Sequence, residues 1–198
     1  MLLIMSVYLL RHGQTSWNAA GIIQGRYDTP LNETGIAQAK LARETLKDVH
    51  LDVAYVSPLL RARQTAVLAL EGKEVPIILE PRIVEMAYGD YEGTNWKAGD
   101  YQRKRRYLAY RYKDGESYLD LAYRAFSFLE EIREQGTSGN VLLVCHGGIA
   151  RVIHSYFEDE VDNDSFIDNI CPNGSVRVYE YKTRNIPLRM DVPDDLKI

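Results

Sequence analysis

The chain has 198 residues, a formal charge of −4 and a pI near 5.6, and 45% of its residues are hydrophobic. That composition excludes a disordered chain and supports a sizeable core. The acidic balance argues against a general nucleic-acid binder, although net charge says nothing against a local anion pocket.

Residues Met1 to Leu10 are apolar but lack a basic start and a small-residue cleavage site, and they fall far short of the roughly 20 apolar residues that span a bilayer. Met5 offers a second candidate start. Cys145 and Cys171 make no disulfide framework, which fits a reducing, cytoplasmic setting.

In chain order, Ser6 to Arg11 reads as a short apolar strand ended by Gly13. A loop to Thr29 follows, then a helix capped by Asn32 or Thr34, with Ile36, Ala39, Leu41 and Leu46 near one stripe. Leu51 to Val56 is a second strand. Ser57-Pro58 supplies a cap and a first-turn proline for a helix to about Leu70. Pro76 to Leu79 is a third strand. The stretch Glu80 to Gly115 is rich in Tyr, Gly and charge, with a helix expected from about Asp100 to Tyr112.

Ser117 can cap the next helix, whose stripe includes Leu121, Phe126 and Leu129 and which should stop near Gly136. Val141 to Cys145 is the fourth strand, followed by a helix from about Gly148 to Phe157. Ser165 to Cys171 and Ser175 to Tyr181 read as a final strand pair turning at Pro172-Asn173-Gly174. From Lys182 onward no periodicity remains. Strands alternating with helices predict an α/β fold: a mostly parallel central sheet with helices on both faces. We read one domain over 1–198, with 80–115 as a lid-like insertion over one end of the sheet.

In open α/β sheets ligands sit beyond the carboxyl ends of the strands. The first strand ends in Arg11-His12, the second in Ser57 with Arg61 a turn later, and the fourth in His146-Gly147. A lone histidine after a strand is more often structural, and a lone Arg61 more often a surface charge. The convergence of two histidines and two arginines at one rim is what points to chemistry. Arginine binds phosphate through bidentate, charge-assisted bonds. Glycines beside each histidine let backbone approach a ligand, and the helix after Gly147 directs its positive end at the rim. Cys145, one residue before His146 in a strand, faces the other way into the core. His50 and His154 have no motif around them and read as structural.

Arg11-His12-Gly13-Gln14-Thr15 with Asn18 resembles the R-H-G-x-T-x-x-N signature of the histidine phosphatase (phosphoglycerate mutase-like) superfamily. Four further stretches match in order: Gln24-Gly25 with Asp28, Pro30-Leu31 and Thr34-Gly35; Ser57 to Thr65; Glu85 with Gly89 and Glu92-Gly93; and His146-Gly147-Gly148. The resemblance covers about Val7 to Arg151. It implies that His12 is the nucleophile and forms a phosphohistidine, that Arg11, Arg61 and His146 clamp the phosphoryl oxygens with Asn18 assisting, and that Glu85 is the general acid and base. Gln24, Gly25 and Gly147 would line the substrate pocket.

Phosphoryl transfer depends on positioning and charge stabilisation, so these roles suit the residues. His12 must be neutral to attack, which neighbouring cations favour, and its other nitrogen needs an acceptor such as a backbone carbonyl. No metal or other cofactor is expected, since arginine and histidine supply the positive charge.

The compact insertion and Gln24-Gly25 resemble the phosphatase branch, so we expect a metal-independent phosphatase acting on a small phosphorylated metabolite, with neither nucleic acid nor membrane as partner. The alternatives are a phosphoglycerate mutase and a non-catalytic phospho-ligand sensor. The oligomeric state stays open, a homodimer included. Lys97, Arg103, Lys104, Arg105, Arg106, Arg111 and Lys113 make the insertion basic. This is a solvated face or a lid that reads a second acidic group on the substrate, with Arg103 and Arg106 singled out.

Overall fold

A computed structural model describes residues 6–134, 139–159 and 161–181. The amino-terminal residues, Gly136 and the segment from 182 onward lie outside that set. The elements are β1 (Ser6–Arg11), α1 (Ser16–Ala19), α2 (Glu33–Leu46), β2 (Val53–Val56), α3 (Leu60–Ala69), β3 (Ile77–Leu79), α4 (Tyr101–Lys104), α5 (Tyr118–Glu134), β4 (Val141–Cys145), α6 (Gly147–Phe157), α7 (Asn163–Asp168) and β5 (Val176–Glu180).

The strands form one sheet in the order β3-β2-β4-β1-β5. β1 and β2 each pair parallel with β4, β3 pairs parallel with β2, and β5 alone runs antiparallel, against β1. β4 is buried at every residue, as its unbroken apolar run requires of a strand covered on both faces.

Alternation along the strands divides the core. Val7, Leu9, Val141, Leu143 and Cys145 point to the face covered by α5 and α6. Leu10, Ala54, Val56, Leu142 and Val144 point to the face covered by α2 and α3. Each fully buried Val or Leu contributes about 1.5–3 kcal/mol. Cys145 therefore packs in the core beside His146 without facing the rim. On α2, Ala39 and Leu46 are buried while Ile36 and Leu41 face solvent. Among the described residues no helix is long and apolar enough to cross a membrane.

Gly13 and Gly35 allow the loop after β1 to lie against the start of α2. A Cβ on Gly13 would stand 2.3 Å from the Gly35 carbonyl oxygen, and one on Gly35 would stand 2.0 Å from that of Gln14. Asn32 caps α2 by accepting from the Gly35 amide. Asp120 and Ser117 bond reciprocally at the start of α5.

Three sequence expectations are corrected. The helix expected over 100–112 is a single turn, α4. Tyr88, Tyr91, Tyr101, Tyr110 and Tyr112 pack ring against ring, and this clustering overrides the local helical preference. Ser165 to Cys171 is not a strand. Asp162 accepts the Ser165 amide and starts α7, which buries Phe166 and Ile167, and β5 pairs with β1 instead. A short apolar run fits either element, and here the cap decides it. Ser57 does not cap α3, which starts at Leu60 after an N-cap at Leu59 without a side-chain bond. The Ser57 hydroxyl is used elsewhere.

Candidate active site

β1 delivers Arg11 and the loop behind it delivers His12, whose amide continues the ladder by donating to the Cys145 carbonyl. His12 is buried. Its Nδ1 lies 2.7 Å from the Gly13 carbonyl oxygen. A carbonyl only accepts, so Nδ1 carries the proton and Nε2 keeps the free lone pair. Burial pushes the His12 imidazolium well below the usual histidine range, and the Arg61 and Arg11 charges push it further. The ring is held neutral.

Arg61 is reached from α3 and is 1% exposed. Its Nη1 donates to the Tyr27 carbonyl at 2.7 Å and its Nη2 to that of Gly25 at 2.8 Å. Its Nε donates to His146 Nδ1 at 3.1 Å. Since arginine only donates, His146 must accept at Nδ1 and carry its proton on Nε2, which meets the Ser57 hydroxyl at 2.6 Å. The His146 ring centroid lies 5.0 Å from that of His12. His146 is fully buried, and both its ring nitrogens are engaged by protein groups. Burial lowers the Arg61 pKa to about 10, which leaves it charged.

Arg11 donates through Nη1 to the Cys171 carbonyl. Its Nε is buried and has no partner among the described residues. A buried donor left in this state costs about 1–3 kcal/mol, so the site holds an unmet demand for an acceptor beside His12.

Glu85 approaches from the segment after β3. Its Oε2 accepts the Gly148 amide at 3.0 Å, and its Oε1 accepts the amides of Met86 at 2.8 Å and Ile149 at 3.3 Å. The carboxyl group thus sits at the amino terminus of α6, fixed in place by three backbone N–H groups. A Cβ on Gly148 would fall 2.5 Å from Glu85 Oε1, so only glycine lets the carboxylate lie there.

These groups border a cavity of about 310 Å³. Arg11, His12, Asn18, Gln24, Gly25, Arg61, Glu85 and Gly147 all line it. Of the residues singled out from sequence, His146 does not; it stands behind Arg61. Asn18 Oδ1 accepts the Thr15 amide, and Gln24 Oε1 accepts the Thr29 hydroxyl. His50 pairs with Asp52 at the surface. His154 meets the Tyr179 hydroxyl, away from the cavity.

Residues 7–190 match the family model described as histidine phosphatase superfamily, branch 1. The chain belongs to the histidine phosphatase superfamily. It is 39% identical over 161 residues to a probable phosphatase of Schizosaccharomyces pombe, covering 79% of this chain and 75% of that protein. It is 35% identical over 161 residues to a metal-independent phosphoserine phosphatase of Arabidopsis thaliana, covering 76% and 68%. Among solved structures, a putative alpha-ribazole-5'-P phosphatase from Escherichia coli superposes with a TM-score of 0.81 at 25% identity, covering 90% of this chain and 91% of that one. The fold and relatives together make this chain a phosphatase.

In this histidine phosphatase three residues that sequence reading left without a role in the site support it through hydrogen bonds. Ser57 was hidden by its resemblance to a helix cap. Thr65 accepts the Gly13 amide and donates to the Arg61 carbonyl, tying the loop after β1 to α3; its spacing of four from Arg61 on one helix was the available signal. Asn173 donates to the His12 carbonyl from the turn before β5; the sequence marked the turn but not this contact. Arg103 and Arg106 do not reach the cavity. They are exposed and pair with Asp100 and Asp164. Arg105 and Arg151 line the cavity instead.

Proposed function

We propose that this phosphatase hydrolyses a small phosphomonoester through a phosphohistidine on His12, without a metal ion. The observation that carries this reading is the pairing of a free His12 Nε2 with the partnerless buried Nε of Arg11. One supplies a nucleophile and the other an unmet demand for a phosphoryl oxygen.

His12 Nε2 attacks phosphorus while the ester P–O bond breaks, and Glu85 gives its proton to the departing oxygen. Glu85 then takes a proton from water. The water oxygen attacks phosphorus, the P–N bond breaks, and inorganic phosphate leaves. Arg11 and Arg61 stabilise the charge on the equatorial oxygens. His146 serves this clamp by fixing Arg61 through Nδ1 and by holding an N–H at Nε2, shared with Ser57. Asn18, Gln24, Gly25 and Gly147 shape the pocket, and segment 80–115 roofs it. The buried free thiols of Cys145 and Cys171 suit a reducing cytoplasm.

Two successive displacements at phosphorus retain its configuration, whereas direct attack by water inverts it. The test is hydrolysis, in isotopically labelled water, of a phosphorothioate monoester with isotopically distinct oxygens, which leaves a thiophosphate chiral at phosphorus. Retention is expected; inversion would overturn the covalent route.

A further inference from the structure

Arg105 lies just after α4 and Arg151 in the second turn of α6. Both are half-buried and both line the cavity. Arg105 Nη2 and Arg151 Nε donate to one and the same acceptor, the Ile167 carbonyl, at 3.0 and 3.1 Å. Among the described residues neither has a carboxylate oxygen within 4.0 Å. Their neighbours Arg103 and Arg106 do. Two like charges meeting over a single neutral carbonyl repel each other, and the half-buried setting screens that repulsion poorly. The Arg151 charge is also felt by Arg11 and attracted by Glu85, so this end of the pair lies within electrostatic reach of the His12 site. Tyr88, Trp96, Tyr101 and Ile170 are among the other walls. A cationic pair without a carboxylate at ion-pair distance, lining a cavity of about 310 Å³, is organised to receive an anion.

We propose that Arg105 and Arg151 form a second anion subsite, which binds a carboxylate or phosphate carried on the leaving-group side of the substrate. The substrate class is then a small diacidic phosphomonoester. The inference rests on the phosphatase reading above and assigns the specificity that reading leaves open. Arg105 and Arg151 are specificity residues: they do not touch the reacting phosphorus.

The test reads binding and turnover separately. Calorimetry compares 3-phosphonopropionate, which carries a second anion, with ethylphosphonate, which does not. The unaltered protein should bind the diacid at least about tenfold more tightly, as expected for charge-assisted hydrogen bonds. Arg105→Gln and Arg151→Gln should each remove most of that preference. Arg151→Gln also loosens α6 from α7, so Arg105→Gln, in a half-exposed segment, is the variant that keeps the test decisive if the other fails to fold. No preference in the unaltered protein, or a preference that survives in Arg105→Gln, would overturn the subsite. Phosphate release from phenyl phosphate is assayed alongside. Its absence would count against the phosphatase mechanism, while the calorimetry would still decide the subsite.

Discussion

Glu85 Oε2 accepts the Gly148 amide at 3.0 Å, across 63 positions of sequence. The bond joins the segment after β3 to the first turn of α6, the helix that starts beside His146. It sets where the carboxylate stands relative to His12, because α6 is itself anchored to the sheet by Ile149, Val152 and Ile153.

Gly148→Ala should displace Glu85 and leave the fold standing, since alanine suits a helix and its Cβ meets chiefly the carboxylate and the Tyr88 hydroxyl, at 2.5 and 2.9 Å. A misplacement of about 1 Å can cost about a hundredfold in rate. We expect kcat/KM to fall about 10- to 100-fold for an alkyl phosphate and much less for nitrophenyl phosphate, whose leaving group needs no proton. Steady-state kinetics on the two esters checks this; equal losses would contradict the assignment of Glu85 as proton donor.

Glu116 positions the same residue from behind. It accepts from the Ala87 amide, from Arg26 and from Arg124, and both arginines also donate to the Glu85 carbonyl. Burial pushes its carboxyl up, but Arg124 and the Ala87 amide outweigh that and hold it below its ordinary value. Glu116→Gln should cost about 1–3 kcal/mol of stability and reproduce the leaving-group-dependent loss of Gly148→Ala in weaker form. A denaturant titration paired with the two-ester assay separates these effects. A stability loss without leaving-group dependence would make Glu116 purely structural.

The two buried histidines of the candidate site make stability depend on pH. Burial, the largest cause for each, holds His12 and His146 neutral well below the usual histidine range, with Arg61 next in both cases. The unfolded chain takes up protons at these positions below about pH 6.5 and the folded chain does not. The unfolded state then binds more protons, so stability falls as pH drops from about 6.5 toward the depressed folded values. Each histidine contributes a slope of about 1 kcal/mol per pH unit. Urea titrations between about pH 7 and pH 5, in buffer free of phosphate and sulfate, should show the decline, and His146→Asn should flatten it. A flat profile in the unaltered protein would contradict the buried, neutral state.

Where a candidate site residue stands at a strand end, its place was legible in the sequence. Arg11-His12 and His146 follow apolar runs directly, so pattern and position agree. The parallel sheet was legible for the same reason. What escaped depends on contacts between distant segments. Ser57 carries a local cap signal, but its hydroxyl is claimed by a histidine 89 positions away. The helix expected over 100–112 gives way to tyrosine packing that no periodicity encodes. Arg105 and Arg106 are adjacent and identical in type, and only the tertiary fold turns the first to the cavity and the second to Asp164.

In the proposed mechanism the phosphoryl group passes through His12. The direct measurement is an alkaline quench during turnover, which preserves phosphohistidine, followed by mass mapping of the peptides. A phosphoryl group on the peptide holding His12, absent from His12→Ala, is the predicted result. Label on any other residue, or a His12→Ala protein that still releases phosphate at the original rate, would contradict it.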